Sequence, residues 1–215
     1  MKLHKEVLGK DGMALFPRLC AVIGKAYLLA GGTALALQAG HRRSDDLDFM
    51  GYEPSLSLPY RERLKKALTR AGRYRVLSED AGTLHMAFGD IRVSVLAYGA
   101  PFLRKPVIAG GGRLTDPVDI GLMKLSAIVG RGSKKDFIDL ACIIRNYSSL
   151  KELLALARIK YPESPGFPML ALKALSYYRD AEREPDPLIL LEEYRWDAVK
   201  RFMSGEVSRI AARYR

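Results

Sequence analysis

Two patterns of apolar residues divide the chain near residue 115. Before that point, stretches with helical spacing are interrupted by short runs that are continuous or alternate between apolar and polar residues, which is typical of helices mixed with strands. After it, the spacing is helical up to the C-terminus. The pattern predicts an α/β part over residues 1–115, followed by a helical part over residues 116–215.

The first part contains helix and strand patterns in mixed order. Helical spacing covers residues 5–25, 33–39 and 60–71, and strand patterns cover residues 26–30, 46–50, 74–78, 83–88 and 91–98. Gly40 is placed to end the second of these helices. Three consecutive glycines at positions 110–112 predict a loop.

Capping signals mark the helices of the second part. Asp116 and Pro117 predict a helix start, because an acidic cap followed by proline suits the first turn. Ser133 predicts the next start, with Asp136 three residues later completing a capping box. A proline-rich loop over residues 162–168 precedes helices near 168–182 and 187–214.

Charge and composition narrow the class of protein. The 215 residues carry 35 Lys+Arg and 24 Asp+Glu, a net charge of +11 that favours an anionic partner. A hydrophobic content of 48% excludes a disordered basic tail. Two cysteines and three histidines are too few for a disulfide scaffold or a structural zinc site. The chain has neither a signal-peptide pattern nor an apolar run of membrane-spanning length, so we expect a cytoplasmic protein with reduced thiols.

The densest positive charge lies over residues 61–75, where seven basic residues accompany one acid. This stretch suits an RNA-backbone surface, although an ordinary solvated helix face has the same composition. The aromatic residues of the helical part could similarly stack on unpaired bases, but packing in the helix core is favoured: Tyr177, Tyr178, Tyr194, Trp196 and Tyr214.

Candidate chemistry is concentrated where a predicted strand runs into a diglycine and then a helix. Gly31 and Gly32 allow the backbone to approach a ligand, and the free N–H groups of a helix start favour phosphate. Asp46 and Asp48 follow on a predicted strand, where alternate side chains share one face. Mg²⁺ commonly binds through one or two carboxylates together with substrate phosphates. A phosphate-binding turn beside such a pair predicts phosphoryl or nucleotidyl transfer.

Structural explanations exist for each motif alone. A Gly-Gly turn is often only a tight strand–helix connection, and an Asp-x-Asp pair is often a solvated strand face. The occurrence of both, in this order and 13 residues apart, favours function.

The combined pattern resembles the abortive-infection type nucleotidyltransferase toxins (AbiEii-like), which belong to the DNA-polymerase-β-like nucleotidyltransferase superfamily. The matching positions are Gly31, Gly32, Thr33, His41, Arg42, Ser44, Asp46, Asp48 and Phe49. A later stretch, residues 119–140, is also similar to this family. There the resemblance assigns an active-site lysine to Lys124 and an active-site aspartate to Asp136, with Asp139 as the alternative.

The resemblance implies an α+β fold, with a nucleotidyltransferase-like mixed sheet flanked by helices and a helical C-terminal domain that completes the active site. It implies Mg²⁺-dependent transfer of a nucleoside monophosphate from an NTP to tRNA or protein, and a cognate antitoxin as partner. Asp46 and Asp48 would bind the metal. Lys124 would steady the triphosphate, and Asp136 would assist catalysis as a base or a metal partner. Nucleotide-binding roles would belong to Gly31, Gly32, Thr33, Arg42, Ser44 and Arg131.

One position departs from the superfamily pattern. A third metal-binding carboxylate is common on a later strand, and the matching position in this sequence is Ser94. Asp90 shares its predicted strand face but lies roughly 13 Å away at the usual rise per residue. Three interpretations remain open: Asp136 or Asp139 supplies the charge, one metal suffices, or catalysis is impaired. In the last case the protein would be a nucleotidyltransferase-fold module that binds RNA or a partner protein.

Overall fold

A computed structural model describes residues 2–51 and 56–212 of the chain. The chain forms two compact units, Met1–Asp116 and Pro117–Arg215. A mixed seven-stranded sheet with helices makes up the first unit, and helices make up the described part of the second. This architecture confirms the predicted fold class.

The first unit combines three α-helices and seven strands within its described residues. The helices are α1 (Gly9–Ile23), α2 (Gly31–Ala39) and α3 (Leu58–Leu68), and a 3-10 turn, Lys5–Val7, precedes α1. The strands are β1 (Tyr27–Leu29), β2 (Leu47–Gly51), β3 (Arg75–Asp80), β4 (Thr83–Phe88), β5 (Ile91–Ala97), β6 (Val107–Ala109) and β7 (Gly112–Leu114).

The strands lie in the order β3-β4-β5-β2-β1-β7-β6. β2 pairs with β5, and β1 with β7, in parallel, whereas the other neighbours are antiparallel. Alternation along the central strands sends one set of side chains into the core and the other to the opposite face. The buried set comprises Leu47, Phe49, Leu84, Met86, Val93 and Val95.

The predicted loop at residues 110–112 is confirmed for Gly110 and Gly111, which form the turn of a β-hairpin between β6 and β7, but is wrong for Gly112, which begins β7. Ala109 pairs with Gly112, so Gly110 and Gly111 are the two turn residues. Both have positive φ, at 60° and 78°, as a tight primed turn requires. Each strand has three residues, which is too short for an alternating pattern to stand out in the sequence.

Helix α2 begins two residues earlier than predicted. Its first residue is Gly31, so both glycines belong to the first helical turn. The predicted stop at Gly40 is confirmed, since Gly40 is left-handed with φ 67° and its N–H donates to the Ala36 carbonyl at 2.7 Å. The helix is buried along most of its length, which fixes the position of its N-terminus.

The second unit contains six α-helices within its described residues. They are α4 (Pro117–Gly130), α5 (Lys134–Asn146), α6 (Leu150–Lys160), α7 (Phe167–Ala174), α8 (Arg179–Glu182) and α9 (Trp196–Ala211). The helix predicted near 168–182 is thus divided into α7 and α8. The helix predicted from 187 begins only at Trp196, and positions 213–214 lie outside the described residues. Within residues 2–51 and 56–212, no helix has both the length and the apolar character needed to cross a membrane.

The N-terminus of α5 is capped differently from the prediction. Ser133 is the N-cap residue, but its hydroxyl donates to Glu184 Oε2 at 2.8 Å, and the Lys134 N–H donates to the same oxygen at 2.8 Å. The Asp136 side chain forms ion pairs with basic residues instead. The predicted capping box is therefore wrong, because a carboxylate from a distant loop takes its place.

Aromatic residues of the second unit pack against each other. The rings of Phe137 and Tyr178 lie 5.2 Å apart, and that of Trp196 lies 5.8 Å from the first and 5.9 Å from the second. Tyr194 is buried, while Tyr177 is exposed. Core packing is thus confirmed for Tyr178, Tyr194 and Trp196 and is wrong for Tyr177, while Tyr214 lies outside the described residues.

Candidate functional site

The two predicted metal ligands lie at the start of β2. Asp46 immediately precedes the strand and is exposed, and Asp48 is its second residue and is half-buried. Their neighbours Leu47 and Phe49 are buried in the core at 0% and 1% exposure. Burial of these two apolar side chains directs both carboxylates to the opposite face of the sheet.

Gly31 brings the start of α2 close to Asp48. The Ala30 N–H donates to the Asp48 carbonyl at 2.8 Å, which ties the end of β1 to β2. Gly31 has φ +66°, and a Cβ at this position would lie 3.6 Å from Asp48 Oδ2. The N-cap residue Ala30 has no side-chain acceptor, so the first-turn N–H groups lack a side-chain cap. A carboxylate therefore lies beside an uncapped helix start.

Thr33 and Ser44 hold the segment that leads into β2. The Thr33 hydroxyl donates to the Asp46 carbonyl and accepts from the Ser44 hydroxyl at 2.7 Å. The Ser44 N–H in turn donates to the Val7 carbonyl at 3.1 Å. Both residues were predicted to contact the nucleotide. In this geometry their hydroxyls bond to each other and to the backbone, which positions Asp46.

His41 and Arg42 anchor the same segment from inside the unit. His41 has no exposed surface, and Arg42 is 3% exposed. The Arg42 Nη1 donates to the Arg43 carbonyl at 2.8 Å. A guanidinium so deeply buried presents little surface to a ligand, so the geometry does not support the nucleotide contact predicted for Arg42.

Ser94, the position matched to the third carboxylate, lies beside Asp48 on the neighbouring strand. β5 pairs with β2 in the register Asp48↔Ser94. On its other side, Ser94 pairs with His85 of β4, and His85 Nδ1 lies 3.1 Å from Ser94 Oγ. Among the residues that the structure describes, no group of three or more His, Cys, Asp or Glu side chains is arranged to hold a metal ion.

Lys124 lies at the centre of a buried ionic cluster in the second unit. Its Nζ is 2.8 Å from Asp136 Oδ1 and 2.7 Å from Asp139 Oδ2, and both carboxylates are fully buried. Arg131 Nε contacts Asp136 Oδ2 at 2.8 Å, with 68% of its side chain exposed. The structure thus joins four residues singled out in the sequence, and the two aspartates hold the lysine in a defined position.

The electrostatics of this cluster bear on the role predicted for Asp136. Burial by itself would raise the pKa of the Asp136 carboxyl, but the charge of Lys124 and the hydrogen bond from Arg131 outweigh it and hold that pKa below its usual value. A carboxylate with a lowered pKa is a weak base. The geometry therefore supports Asp136 as the residue that positions Lys124, and gives no support to the alternative role of a base.

A second buried ion pair was not predicted from the sequence. Lys160 Nζ lies 2.7 Å from Asp119 Oδ1, and both side chains are fully buried. Burial lowers the pKa of Lys160, which the hydrogen bond to Asp119 opposes. In the sequence, Asp119 is recognisable only as an acid in the first turn of α4. Nothing in the local pattern indicates a contact with Lys160, which lies 41 residues away.

The predicted basic surface divides into paired and unpaired charges. Lys65 Nζ lies 2.7 Å from Glu62 and 2.9 Å from Glu79, so this lysine is neutralised. Arg63, Lys66 and Arg70 are exposed, and no acid among the described residues lies within ion-pair distance of them. Their spacing of three and four residues places them on one face of the helix and the turn that follows it. This basic stripe (Arg63, Lys66 and Arg70) is the part of the surface able to meet an anion.

Comparison with known proteins assigns the family. Residues 15–212 match the family described as "Nucleotidyl transferase AbiEii toxin, Type IV TA system". The chain belongs to this family, which confirms the resemblance found in the sequence. It is also 35% identical over 185 residues to an uncharacterized protein of Aquifex aeolicus (strain VF5). The aligned region covers 84% of this chain and 86% of the relative.

Solved structures of nucleotidyltransferases share the fold. MenT4, a nucleotidyltransferase toxin from Mycobacterium tuberculosis H37Rv, is 16% identical, with a TM-score of 0.52 over 92% of this chain and 82% of that chain. The antibiotic-resistance factor ANT(2'')-Ia is 17% identical, with a TM-score of 0.53 over 71% of this chain and 94% of that chain. At these identities the likeness concerns the fold, whereas the family match identifies the chain as a nucleotidyltransferase of a toxin family.

Proposed function

We propose that the protein transfers a nucleoside monophosphate from an NTP to an acceptor in a Mg²⁺-dependent reaction. The observation that carries this proposal is the position of the Asp48 carboxylate, 3.6 Å from where a Cβ of Gly31 would lie. Asp46 and Asp48 share one face of the sheet, beside a helix start whose N–H groups lack a side-chain cap. Phosphate and a divalent cation are the ligands suited to these two features.

The donor set of this face fits magnesium. Asp46 and Asp48 supply hard carboxylate oxygens, and two protein carboxylates complemented by substrate phosphates are a common arrangement for this ion. Glycine at position 31 leaves the space that a side chain would take beside Asp48. When bound, Mg²⁺ would neutralise charge on the phosphate oxygens of the substrate and of the departing pyrophosphate.

The protein groups around the acids would bind and orient the substrate. The N–H groups of Gly31 and Gly32 would donate to phosphate oxygens at the positive end of α2. The Thr33 hydroxyl would act indirectly, because it holds the backbone of Asp46 in place. A fixed carboxylate needs little reorganisation when the substrate arrives, and this lowers the barrier for the chemical step.

The reaction is further proposed to need Lys124 and Arg131. A lysine whose Nζ is fixed by two buried carboxylates is suited to offset the negative charge of a triphosphate. Arg131 has 68% of its side chain exposed while it contacts Asp136, so an anionic ligand could approach it from solvent. Asp136 and Asp139 are then positioning residues, required because they hold the lysine.

RNA is the proposed acceptor. The basic stripe presents three unpaired cations on one face, and an RNA backbone offers phosphates along its length. The net charge of the whole chain, +11, also favours an anionic acceptor. As a member of a toxin–antitoxin family, the protein is also proposed to have a cognate antitoxin as partner.

The proposal can be tested with nucleotides labelled at different phosphates. The protein is incubated with each NTP in turn, labelled at the α- or the γ-phosphate, together with Mg²⁺, total tRNA and cell protein. Transfer of α-label but not γ-label to RNA supports nucleotidyl transfer to an RNA acceptor. Transfer of the α-label to protein alone would contradict the RNA acceptor, and transfer of γ-label would contradict the reaction type.

Ser94 favours one alternative function. Without a third carboxylate beside Asp48, the fold could serve as a catalytically impaired module that binds RNA or a partner protein. Under this alternative no NTP yields labelled product, while binding to RNA through the basic stripe persists. The same labelling experiment, accompanied by an RNA-binding measurement, separates the two functions.

A further inference from the structure

We propose that the Ser94 hydroxyl is a third, uncharged ligand of the divalent cation held by Asp46 and Asp48, and that His85 is the residue that positions it. This inference rests on the proposed function, because it adds a ligand to the same metal site. It offers a different explanation for the serine at the position of the third carboxylate: the site is complete with a neutral oxygen donor.

The strand register places the three side chains in one row. Asp48 on β2 pairs with Ser94 on β5, and Ser94 pairs with His85 on β4. Paired residues on neighbouring strands point to the same face, and adjacent strands lie about 4.8 Å apart. In this row Ser94 is therefore the middle residue, with Asp48 on one side and His85 on the other.

The hydrogen bond to His85 determines what the serine can offer. His85 Nδ1 lies 3.1 Å from Ser94 Oγ. In the proposed arrangement His85 carries its proton on Nε2 and accepts the serine proton at Nδ1, which leaves both lone pairs of the hydroxyl available. His85 lies on the side of Ser94 opposite to Asp48, and this orients the lone pairs towards the acids. Ser94 is 9% exposed, so bulk water competes little for them.

The metal chemistry explains why such a ligand is needed. Mg²⁺ requires near-octahedral oxygen coordination, and the described residues hold no group of three acidic, histidine or cysteine side chains able to bind a metal. A hydroxyl is a hard oxygen donor that adds no negative charge. A site with two carboxylates and one hydroxyl should bind a divalent cation more weakly than one with three carboxylates, so that binding depends more on the phosphates of the substrate.

Metal affinity is measured with Mn²⁺ as a paramagnetic probe of the full chain, without nucleotide. Because loss of a ligand or of the residue that orients it commonly weakens metal binding 10–100-fold, we expect Ser94→Ala to weaken Mn²⁺ binding about tenfold. His85→Ala should also weaken it, and His85→Gln should restore part of the affinity, since its amide oxygen can accept the serine proton. Ser94→Asp should bind Mn²⁺ more tightly than the wild type.

Ser94→Cys gives a direct readout of ligation with little change in volume. A thiolate is a soft ligand, so this variant should lose affinity for Mn²⁺ and gain affinity for Cd²⁺, with a sulfur-to-cadmium charge-transfer absorption beyond that of the wild type. Ser78→Cys is the matched control, because Ser78 pairs with His85 from the side away from Ser94. It should show neither change.

The outcomes separate this inference from the proposed function. If Asp46→Asn and Asp48→Asn abolish Mn²⁺ binding while Ser94→Ala and Ser94→Cys bind Mn²⁺ like the wild type, the metal site stands and the role of Ser94 is wrong. If the two Asp variants also bind like the wild type, the metal site itself is wrong. Circular dichroism verifies folding, and Ser94→Cys decides the question if Ser94→Ala does not fold.

Discussion

Lys124 and Asp136 form an ion pair of 2.8 Å in which the carboxylate is fully buried and the lysine nearly so. The aspartate is held ionised by this contact and by Arg131, so its pKa is low in the folded protein although burial by itself would raise it. Asp139 Oδ2 lies 2.7 Å from the same Nζ, so the two carboxylates together fix the position of the Lys124 ammonium group. The pair thus couples the stability of the second unit to the position of a residue proposed to act in transfer.

Stability should depend on Asp136 in a pH-dependent manner. Because the folded pKa of Asp136 is below the unfolded value of ~4, its contribution is fully present above that value and is lost as the pH falls through the folded pKa. Asp136→Asn should cost about 3 kcal/mol at pH 7 and progressively less in acid, measured by urea unfolding over a pH series. Asp180→Asn, which removes an exposed carboxylate, is the control and should change little. A pH-independent cost for Asp136→Asn would contradict the ion pair.

A side chain at position 31 should impair the reaction beyond its effect on folding. Gly31→Ala introduces both a strained left-handed residue, at about 1–2 kcal/mol, and a Cβ 3.6 Å from Asp48 Oδ2. Gly89→Ala is the matched control, because Gly89 has a similar φ of +59° and nothing within 4 Å of such a Cβ. Unfolding measurements should show a similar loss for both variants, and label transfer should fall only for Gly31→Ala. Equal transfer rates would mean that the approach of Gly31 to Asp48 is not functional.

The buried pair of Lys160 and Asp119 should behave as a coupled unit. Lys160→Met leaves a buried carboxylate without its cation and should cost about 3 kcal/mol in urea unfolding. The double variant Asp119→Leu/Lys160→Met removes both charges and should recover most of that loss. Additive losses in the double-mutant cycle would show that the two residues do not depend on each other.

The basic stripe should contribute to RNA binding through charge. Replacing Arg63, Lys66 and Arg70 together with glutamine should weaken tRNA binding and reduce the slope of log K against log salt by about 2–3. A control variant loses the same charge from exposed positions of α6 and α7: Lys151→Gln, Arg158→Gln and Lys173→Gln. If both variants lose the same affinity, net charge rather than the stripe explains binding.

The fold and part of the site could be predicted from local signals in the sequence. The diglycine located the start of α2 to within two residues, and the alternation of residues 46–50 predicted the strand that carries Asp48. The pairing of Ser94 with His85 could also have been predicted from the sequence. A tight turn at Gly89 and Asp90 pairs Phe88 with Ile91, and the same register pairs His85 with Ser94.

Contacts between residues far apart in the chain could not be predicted, because no local sequence pattern indicates them. Glu184 caps α5 from 50 residues away, and Lys160 reaches Asp119 from 41 residues away. The local capping-box pattern of Ser133 and Asp136 pointed to a different partner, because ion pairing with Lys124 and Arg131 was not visible in it. Long-range electrostatics, rather than local propensity, determined these side-chain positions.

The most direct test of the proposed function is the rate of label transfer from an α-labelled NTP by the wild type, Asp46→Asn and Asp48→Asn. Asp45→Asn is the control, because Asp45 is an exposed neighbour whose contact with Arg43 is long, at 3.7 Å. We expect both site variants to lose at least about a hundredfold in rate, and Asp45→Asn to retain the wild-type rate. Wild-type rates for Asp46→Asn and Asp48→Asn, with the fold intact, would contradict nucleotidyl transfer at this site.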